Sequence, residues 1–179
     1  MEDSRAHPTR EDPVRAEDDE LADAARWVAI RRLQDRYADV ITRRAWAELP
    51  EVLRADCTIT LDLAERTIEI VGPEALADFI GPTMEGFTFF QFVILNTVIE
   101  IDHDGRSAGA RMFMQEARQA RDGRRADTYG VYHDRFVLDD DGRWWFSARR
   151  YRTYARTNPP DSADDLTVFE LETRPLGGG

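Results

Sequence analysis

The sequence has no lysine, a single cysteine and only three histidines, and each shortage removes a class of chemistry. Without lysine every side-chain cation of fixed charge is an arginine, a usage we read as coding bias rather than a recognition signal. Cys57 alone cannot form a disulfide within the chain, so a reducing compartment suits it and we expect the cytoplasm. His7, His103 and His133 are scattered and lack metal-ligand spacing, so no metal site is expected. No glycine-rich phosphate loop, nucleophile elbow or cysteine-nucleophile motif occurs, which disfavours nucleotide cofactors and acyl-enzyme chemistry and leaves no cofactor to expect. A net charge of −11 opposes nucleic-acid binding, because phosphate contacts need clustered cations to displace counterions. No apolar run approaches the ~20 residues of a membrane span, and the N-terminus is too charged for a signal peptide, so no membrane partner is expected.

What is present is the composition of one folded domain. At 179 residues the chain suits a single core better than two marginal ones, and 42% hydrophobic residues suffice to build it despite 33% charged ones. The acid is concentrated at the ends. Residues 1–24 hold nine acids against three arginines and residues 156–179 hold five against two, so the stretch between carries only −2 of the −11. Residues 1–19, polar and containing Pro8 and Pro13, read as a disordered acidic leader. Residues 20–157 read as the folded domain, and residues 158–179 as a partly disordered tail, with solubility the simplest role for both ends.

A helix is expected from a cap at Asp18 or Asp19, with Trp27, Ile30, Leu33, Tyr37, Val40 and Ile41 at helical spacing. A shorter helix over Trp46–Leu53 is interrupted by Pro50. Cys57–Leu63 and Thr67–Val71 are expected to form a hairpin, and Gly72-Pro73 to open a brief helix through about Ile80. Four long strands follow, Phe87–Asp102, Ser107–Arg121, Ala126–Asp139 and Arg143–Thr157, punctuated by Asp104-Gly105, Asp122-Gly123 and Asp141-Gly142. They far exceed the usual ~5–6 residues, so the sheet has to twist and bend. Strict alternation along Phe87–Ile101 is apolar on both faces, with Phe90, Phe92, Ile94 and Val98 on one and Phe89, Val93, Leu95 and Ile99 on the other. Helices can cover one face, and a second subunit packed sheet to sheet is expected to cover the other, giving a homodimer.

Three segments carry a resemblance: Arg36-Tyr37-Ala38, Gly130-Val131-Tyr132-His133-Asp134, and Gly142-Arg143-Trp144-Trp145-Phe146-Ser147-Ala148-Arg149-Arg150. Over roughly residues 22–155 the chain resembles the SnoaL-like branch of the nuclear transport factor 2-like superfamily. The resemblance implies an α+β fold in which a cone-shaped, curved antiparallel sheet and N-terminal helices enclose a pocket. It also implies the activities of that group, cofactor-independent dehydratases, isomerases, dehydrochlorinases and polyketide cyclases, beside members that only bind. The similar scytalone dehydratase and hexachlorocyclohexane dehydrochlorinase pair an Asp near the end of the first helix with a His on the third strand. Thr42 and Phe92 stand at the matching positions here, with Gln91 beside the second, and neither Thr nor Phe can take a proton near neutral pH. A steroid isomerase-like arrangement would instead use Asp62 as base and Tyr37 as oxyanion donor. Asp62 shares strand parity with Thr58 and Thr60, so it also reads as solvent-facing.

His133 and Asp134 are neighbours on a strand and face opposite sides, so they cannot form a dyad with each other. A neutral His133 could act as base near neutral pH, and Tyr37 and Tyr132 could hold a substrate oxygen, which makes these three the candidate catalytic residues. Trp46, Phe92, Met112 and Met114 are candidate apolar wall, and Asn96 and Arg150 candidate donors to substrate oxygens. Glu116, at the end of the Met112 and Met114 face, is a carboxyl whose pKa burial would raise. Each has a structural alternative: packing for the aromatics and methionines, a hydrogen-bonded core edge for His133, exposure for Glu116, an ion pair with Asp134 or Glu116 for Arg150. The expected partner is a small, largely apolar, oxygenated molecule, and the expected chemistry is dehydration, isomerisation or cyclisation by proton transfer. The alternative is a non-catalytic module that binds such a ligand or dimerises.

Overall fold

The computed structural model of the protein describes residues 13–158, 162–171 and 175–176. Its first element, α1 (Pro13–Arg43), begins ahead of the cap expected at Asp18 or Asp19, and the expected leader before Pro13, with His7, lies outside the described residues. Ile30, Leu33, Tyr37, Val40 and Ile41 recur three and four apart and are all buried, whereas Trp27 stays 40% exposed, so the packed stripe begins at Ile30. The helix ends in a tight left-handed cap. Arg44 takes φ 60°, its N–H donates to the Ile41 carbonyl, and the Ala45 N–H reaches back to the Val40 carbonyl at 3.0 Å. Arg44 Nη2 also donates to the Phe87 carbonyl at 2.9 Å, tying the end of α1 to the sheet. A short 3-10 helix, Trp46–Glu51, follows with Pro50 inside it.

The remaining elements are β1 (Leu53–Asp62), β2 (Thr67–Val71), α2 (Pro73–Glu85), β3 (Phe87–Ile101), β4 (Ser107–Ala120), β5 (Arg125–Leu138), β6 (Trp144–Asn158) and β7 (Ser162–Val168). They form one curved, unclosed sheet in the order β2-β1-β6-β5-β4-β3, with β7 also pairing β6. The fold is α+β, and every pairing is antiparallel except one: β1 lies parallel to β6. The sheet is thus curved and dominated by antiparallel pairs, as expected, with this single parallel contact added. β1 and β6 are joined through the whole intervening chain rather than by a hairpin, so no short turn forces them to run in opposite directions. β7 lies within residues expected only as tail.

The three hairpins from β3 to β6 each close on an Asp-Gly pair. Gly105, Gly123 and Gly142 take φ of 64°, 87° and 80°, where a side chain would be strained. The preceding Asp104, Asp122 and Asp141 accept hydrogen bonds from the N–H groups of Arg106, Arg124 and Arg143.

Between these turns the alternation of side chains is interrupted. The β3 register slips between Ile94 and Asn96, and the β6 register slips between Phe146 and Ala148 and again between Thr153 and Ala155. Each slip inserts one residue, reverses the facing of everything after it and bends the strand. The face turned toward α1 therefore carries Phe90, Phe92 and Ile99 of β3, Met112 and Met114 of β4, Tyr132, Asp134 and Phe136 of β5, and Phe146, Arg149 and Tyr151 of β6, all buried. Val98, placed by strict alternation with Phe90 and Phe92, is instead 42% exposed. Among the described residues no helix is long and apolar enough to cross a membrane.

Candidate active site

A cavity of about 380 Å³ lies between the inner face of the sheet, α1 and α2. Pro73 starts α2 with φ already suited to a helix, and Leu76, Phe79, Ile80, Thr83 and Met84, spaced along one side of it, form one wall. Tyr37, Phe92, Tyr132 and Tyr151 make the closed end, each 6% exposed or less. Glu65 and Arg66 from the β1–β2 turn, with Thr83, are exposed and mark the open end. The closed end is a cluster of rings: Tyr37 meets Phe92 and Tyr132 edge to face at 5.9 and 6.5 Å, and Tyr132 lies 5.0 Å from Tyr151. Gly130 makes room for this cluster, since a Cβ there would collide with the Tyr151 ring.

Behind the rings stands an enclosed ion pair. Arg149 Nε donates to Asp134 Oδ1 at 2.8 Å and Nη2 to Oδ2 at 3.2 Å, and neither side chain has any accessible surface. The guanidinium carbon sits 3.8 Å from the centre of the Tyr37 ring and 4.2 Å from those of Tyr132 and Phe146, so aromatic faces replace water around the cation. Burial alone would lower the Arg149 pKa, but Asp134 and the tyrosines outweigh it and the guanidinium stays charged. Burial also raises both tyrosines, Tyr132 well above its ordinary value and Tyr37 against the pull of Arg149. At neutral pH both phenols keep their protons and can donate, with a fixed positive charge behind them that favours negative charge arriving on an oxygen they hold.

Glu116 faces the same space. Its side chain is 23% exposed, with that surface forming cavity wall, and burial pushes its carboxyl pKa up while the Arg118 guanidinium, 3.4 Å away, pulls it back. Its charge is felt at Tyr37, Tyr132 and Tyr151 alike, which places one carboxyl within range of three phenols. The Tyr151 hydroxyl accepts a hydrogen bond from Thr153 Oγ1 at 3.0 Å. Thr128, the register partner of Glu116 on β5, is 6% exposed and its Oγ1 has no hydrogen-bond partner. Cys57 contributes no nucleophile, because burial pushes its thiol up to about 12. Among the described residues no three His, Cys, Asp or Glu side chains are grouped so as to hold a metal ion.

A family model, the SnoaL-like domain, matches residues 22–150, most of the chain. The chain belongs to that family. Solved structures with the same fold include a putative scytalone dehydratase from Novosphingobium aromaticivorans, 19% identical over 89% of this chain and 99% of that one, with a TM-score of 0.67. A hexachlorocyclohexane dehydrochlorinase, LinA-type3, from Novosphingobium barchaimii is 17% identical over 87% of this chain and 99% of that one, with a TM-score of 0.66. ActVI-ORFA from Streptomyces coelicolor is 11% identical over 71% and 96%, with a TM-score of 0.59. At these identities the likeness is one of fold. No curated protein matches the chain.

Within this SnoaL-like domain the expected site residues divide. Tyr37, Phe92, Glu116 and Tyr132 line the one cavity. Met112 and Met114 are fully buried on the same inner face but belong to the core rather than the lining, and Trp46 packs half-buried against the core beside Gly81 of α2. Three expectations are corrected by strand geometry. Asn96 follows the β3 slip and is exposed on the outer face. Arg150 follows the first β6 slip, so Arg149 and not Arg150 reaches Asp134. His133, adjacent to Tyr132, points away from the cavity and lies between its register partners Arg111 and Arg150. Asp62 also faces outward, 3.8 Å from Arg152. Thr42 and Phe92 do meet, the Phe92 N–H donating to Thr42 Oγ1 at 3.1 Å, but the contact fastens α1 to β3 without supplying an acid or base. Arg149, Arg118, Tyr151 and Thr128 were not anticipated. A conspicuous run, Arg149-Arg150, held the first of them, and only the slip at Ser147 says which arginine turns inward.

Proposed function

We propose that this SnoaL-like domain is a cofactor-independent enzyme of the lyase or isomerase type, moving a proton on a small, hydrophobic, oxygenated molecule held in the cavity. Glu116 takes or returns the proton, and the Tyr37 and Tyr132 hydroxyls hold the oxygen on which negative charge builds. The observation that carries this reading is a carboxyl with raised proton affinity sharing one cavity with two buried, protonated phenols. Removal of a proton next to a carbonyl leaves the electron pair on the carbonyl oxygen, where the phenols and the Arg149 charge behind them offset it. Elimination then expels a leaving group, and isomerisation or cyclisation returns the proton or closes a carbon bond. The names of two structural neighbours, a putative scytalone dehydratase and a dehydrochlorinase, denote eliminations and support the same class.

The test is turnover of a panel of oxygenated aromatic ketones and alcohols followed by mass spectrometry. For any substrate found, Glu116→Gln is expected to lower kcat by about 10²–10⁴-fold, the usual worth of a positioned acid or base. Tyr132→Phe is expected to lower it by about 10²-fold, as for loss of one oxyanion donor. Full turnover in Glu116→Gln removes the reading. A second reading, a module that binds without converting, is favoured by the Thr42–Phe92 contact, where a hydroxyl and a phenyl ring stand in place of a dyad. Saturable binding with no product of altered mass across the panel would select it.

The outer face supports assembly as a homodimer. Phe89, Leu95 and Val98 of edge strand β3 are 46%, 49% and 42% exposed, an apolar row that a second subunit would cover, and sedimentation would report the dimer. Cys57, buried and the one cysteine of the chain, is in keeping with the reducing cytoplasm.

A further inference from the structure

The charge of the cavity runs against that of the chain. The protein carries −11, yet the cavity is lined by three arginines, Arg66, Arg118 and Arg156, against two acids, Glu65 and Glu116. Their pairing is unequal. Arg156 is neutralised by Glu65, with two of its nitrogens on the two carboxylate oxygens. Arg118 touches Glu116 through one nitrogen at 3.4 Å, leaving its other donors unused, and rests 5.7 Å from the centre of the Phe87 ring. Arg66 has no ion pair among the described residues and lies exposed at the rim. The Thr128 hydroxyl, buried and without a partner, faces the same space. Unused donors beside an apolar wall of Phe79, Ile80, Phe87 and Phe90 have a specific complement.

We propose that the cavity selects a hydrophobic carboxylic acid, with the carboxylate held near the mouth by Arg118 and Arg66 and the apolar body lying inward toward Tyr37 and Tyr132. Arg118 stands one residue pair nearer the β4 end than Glu116, opposite Phe90 rather than Phe92, so an acid gripped there leaves the deeper part of the molecule beside Glu116. This rests on the proposed proton-transfer site and names its substrate class. A planar guanidinium with free donors recognises carboxylate at two points, which a neutral amide cannot reproduce. Phe87 holds the Arg118 fork in place from one side.

The experiment compares 2-naphthoate with its neutral isostere 2-naphthamide on the full chain by isothermal titration calorimetry. The acid is expected to bind about ten-fold tighter than the amide, as one charge-assisted hydrogen-bonded pair allows. Arg118→Gln is expected to bring the two ligands to within about two-fold of each other while leaving the amide unchanged, and exposed Arg66→Gln to do so in part. Glu116→Gln, which removes the competing carboxylate, is expected to tighten the acid. Equal binding of the two ligands, preference for the amide, preference surviving in Arg118→Gln, or no binding of the acid at millimolar concentration would overturn the proposal. The two readings fail separately: Glu116→Gln is inactive under the proton-transfer reading yet still prefers the acid here, and loss of acid preference leaves the turnover test untouched.

Discussion

Two arginine–carboxylate pairs stand on the inner face of one sheet, and they are built in opposite ways. Asp134 and Arg149 reach across from β5 to β6, share two hydrogen bonds, and have no accessible surface among their aromatic neighbours. Glu116 and Arg118 lie two residues apart on β4, touch once at 3.4 Å, and remain 23% and 26% exposed to the cavity side. An enclosed pair cannot trade its partner for water or ligand without leaving a bare charge in an apolar surround. A loose pair at a cavity wall can, because either member finds another partner there. The same chemical groups therefore do different work according to enclosure: one pair holds a permanent field behind the tyrosines, and the other keeps a proton and a cation available.

Breaking each pair in turn tests that contrast, and the largest effect belongs to the enclosed one. Arg149→Met is expected to cost about 3–5 kcal/mol of folding stability by urea denaturation, because Asp134 would be stranded without its cation. Arg149→Met combined with Asp134→Leu is expected to recover much of that loss, since an apolar pair fits the surrounding rings better than one buried acid does. Arg118→Gln is expected to change stability by about 1 kcal/mol or less. Equal costs for Arg149→Met and Arg118→Gln would erase the distinction.

A smaller effect concerns the wall between the two pairs. Tyr132 and Tyr151 form a register pair one row from Asp134 and Arg149, and the Tyr151 ring occupies the space that Gly130 leaves empty. Gly130→Ala is expected to cost about 1–3 kcal/mol by overpacking, read as a fall in the thermal unfolding midpoint. Adding Tyr151→Leu, which withdraws the ring edge, is expected to restore part of that stability. If Gly130→Ala is neutral, the ring does not lie where the separation of the two pairs requires it.

Much of this architecture was legible in the sequence, and the exceptions share one cause. Because those signals are local, the three Asp-Gly turns located strands β3 to β6 within a residue, and helical spacing from Ile30 to Ile41 located the packed part of α1 though not its start, which lies at Pro13 rather than after Asp18 or Asp19. Tyr37, Phe92, Glu116 and Tyr132 were legible as cavity candidates because each keeps its strand or helix phase relative to a buried neighbour. Asn96, Arg150 and Val98 were misplaced because alternation was carried through the slips at Leu95 and Ser147, and one inserted residue exchanges the two faces of a strand. Nothing in a single sequence marks those insertions: neither position is glycine, and the slip is decided by how long antiparallel strands fit one another while curving. The parallel contact of β1 with β6 was hidden for a similar reason, as it pairs residues 90 or more apart, such as Thr58 with Ala148.

The finest test of the contrast is the titration of the loose pair. Burial holds the Glu116 carboxyl above the ~4.3 of an ordinary glutamate, with Arg118 opposing, so the folded chain keeps that proton to a higher pH than the unfolded chain does. Between the ordinary and the raised value the folded state binds more protons, and stability falls as pH rises, by at most ~1.4 kcal/mol per pH unit for one proton. The phenols facing Glu116 are silent there, since Tyr37, Tyr132 and Tyr151 keep their protons. Asp134, also raised by burial, is common to both chains and cancels in a difference. Measured by urea unfolding across a pH series, wild type minus Glu116→Gln is expected to fall through that window and then level off. Arg118→Gln removes the one opposing charge and is expected to move the window upward. A difference that rises with pH would mean that Glu116 is better solvated or better paired in the fold than in the open chain, and the loose pair would then be as settled as the enclosed one.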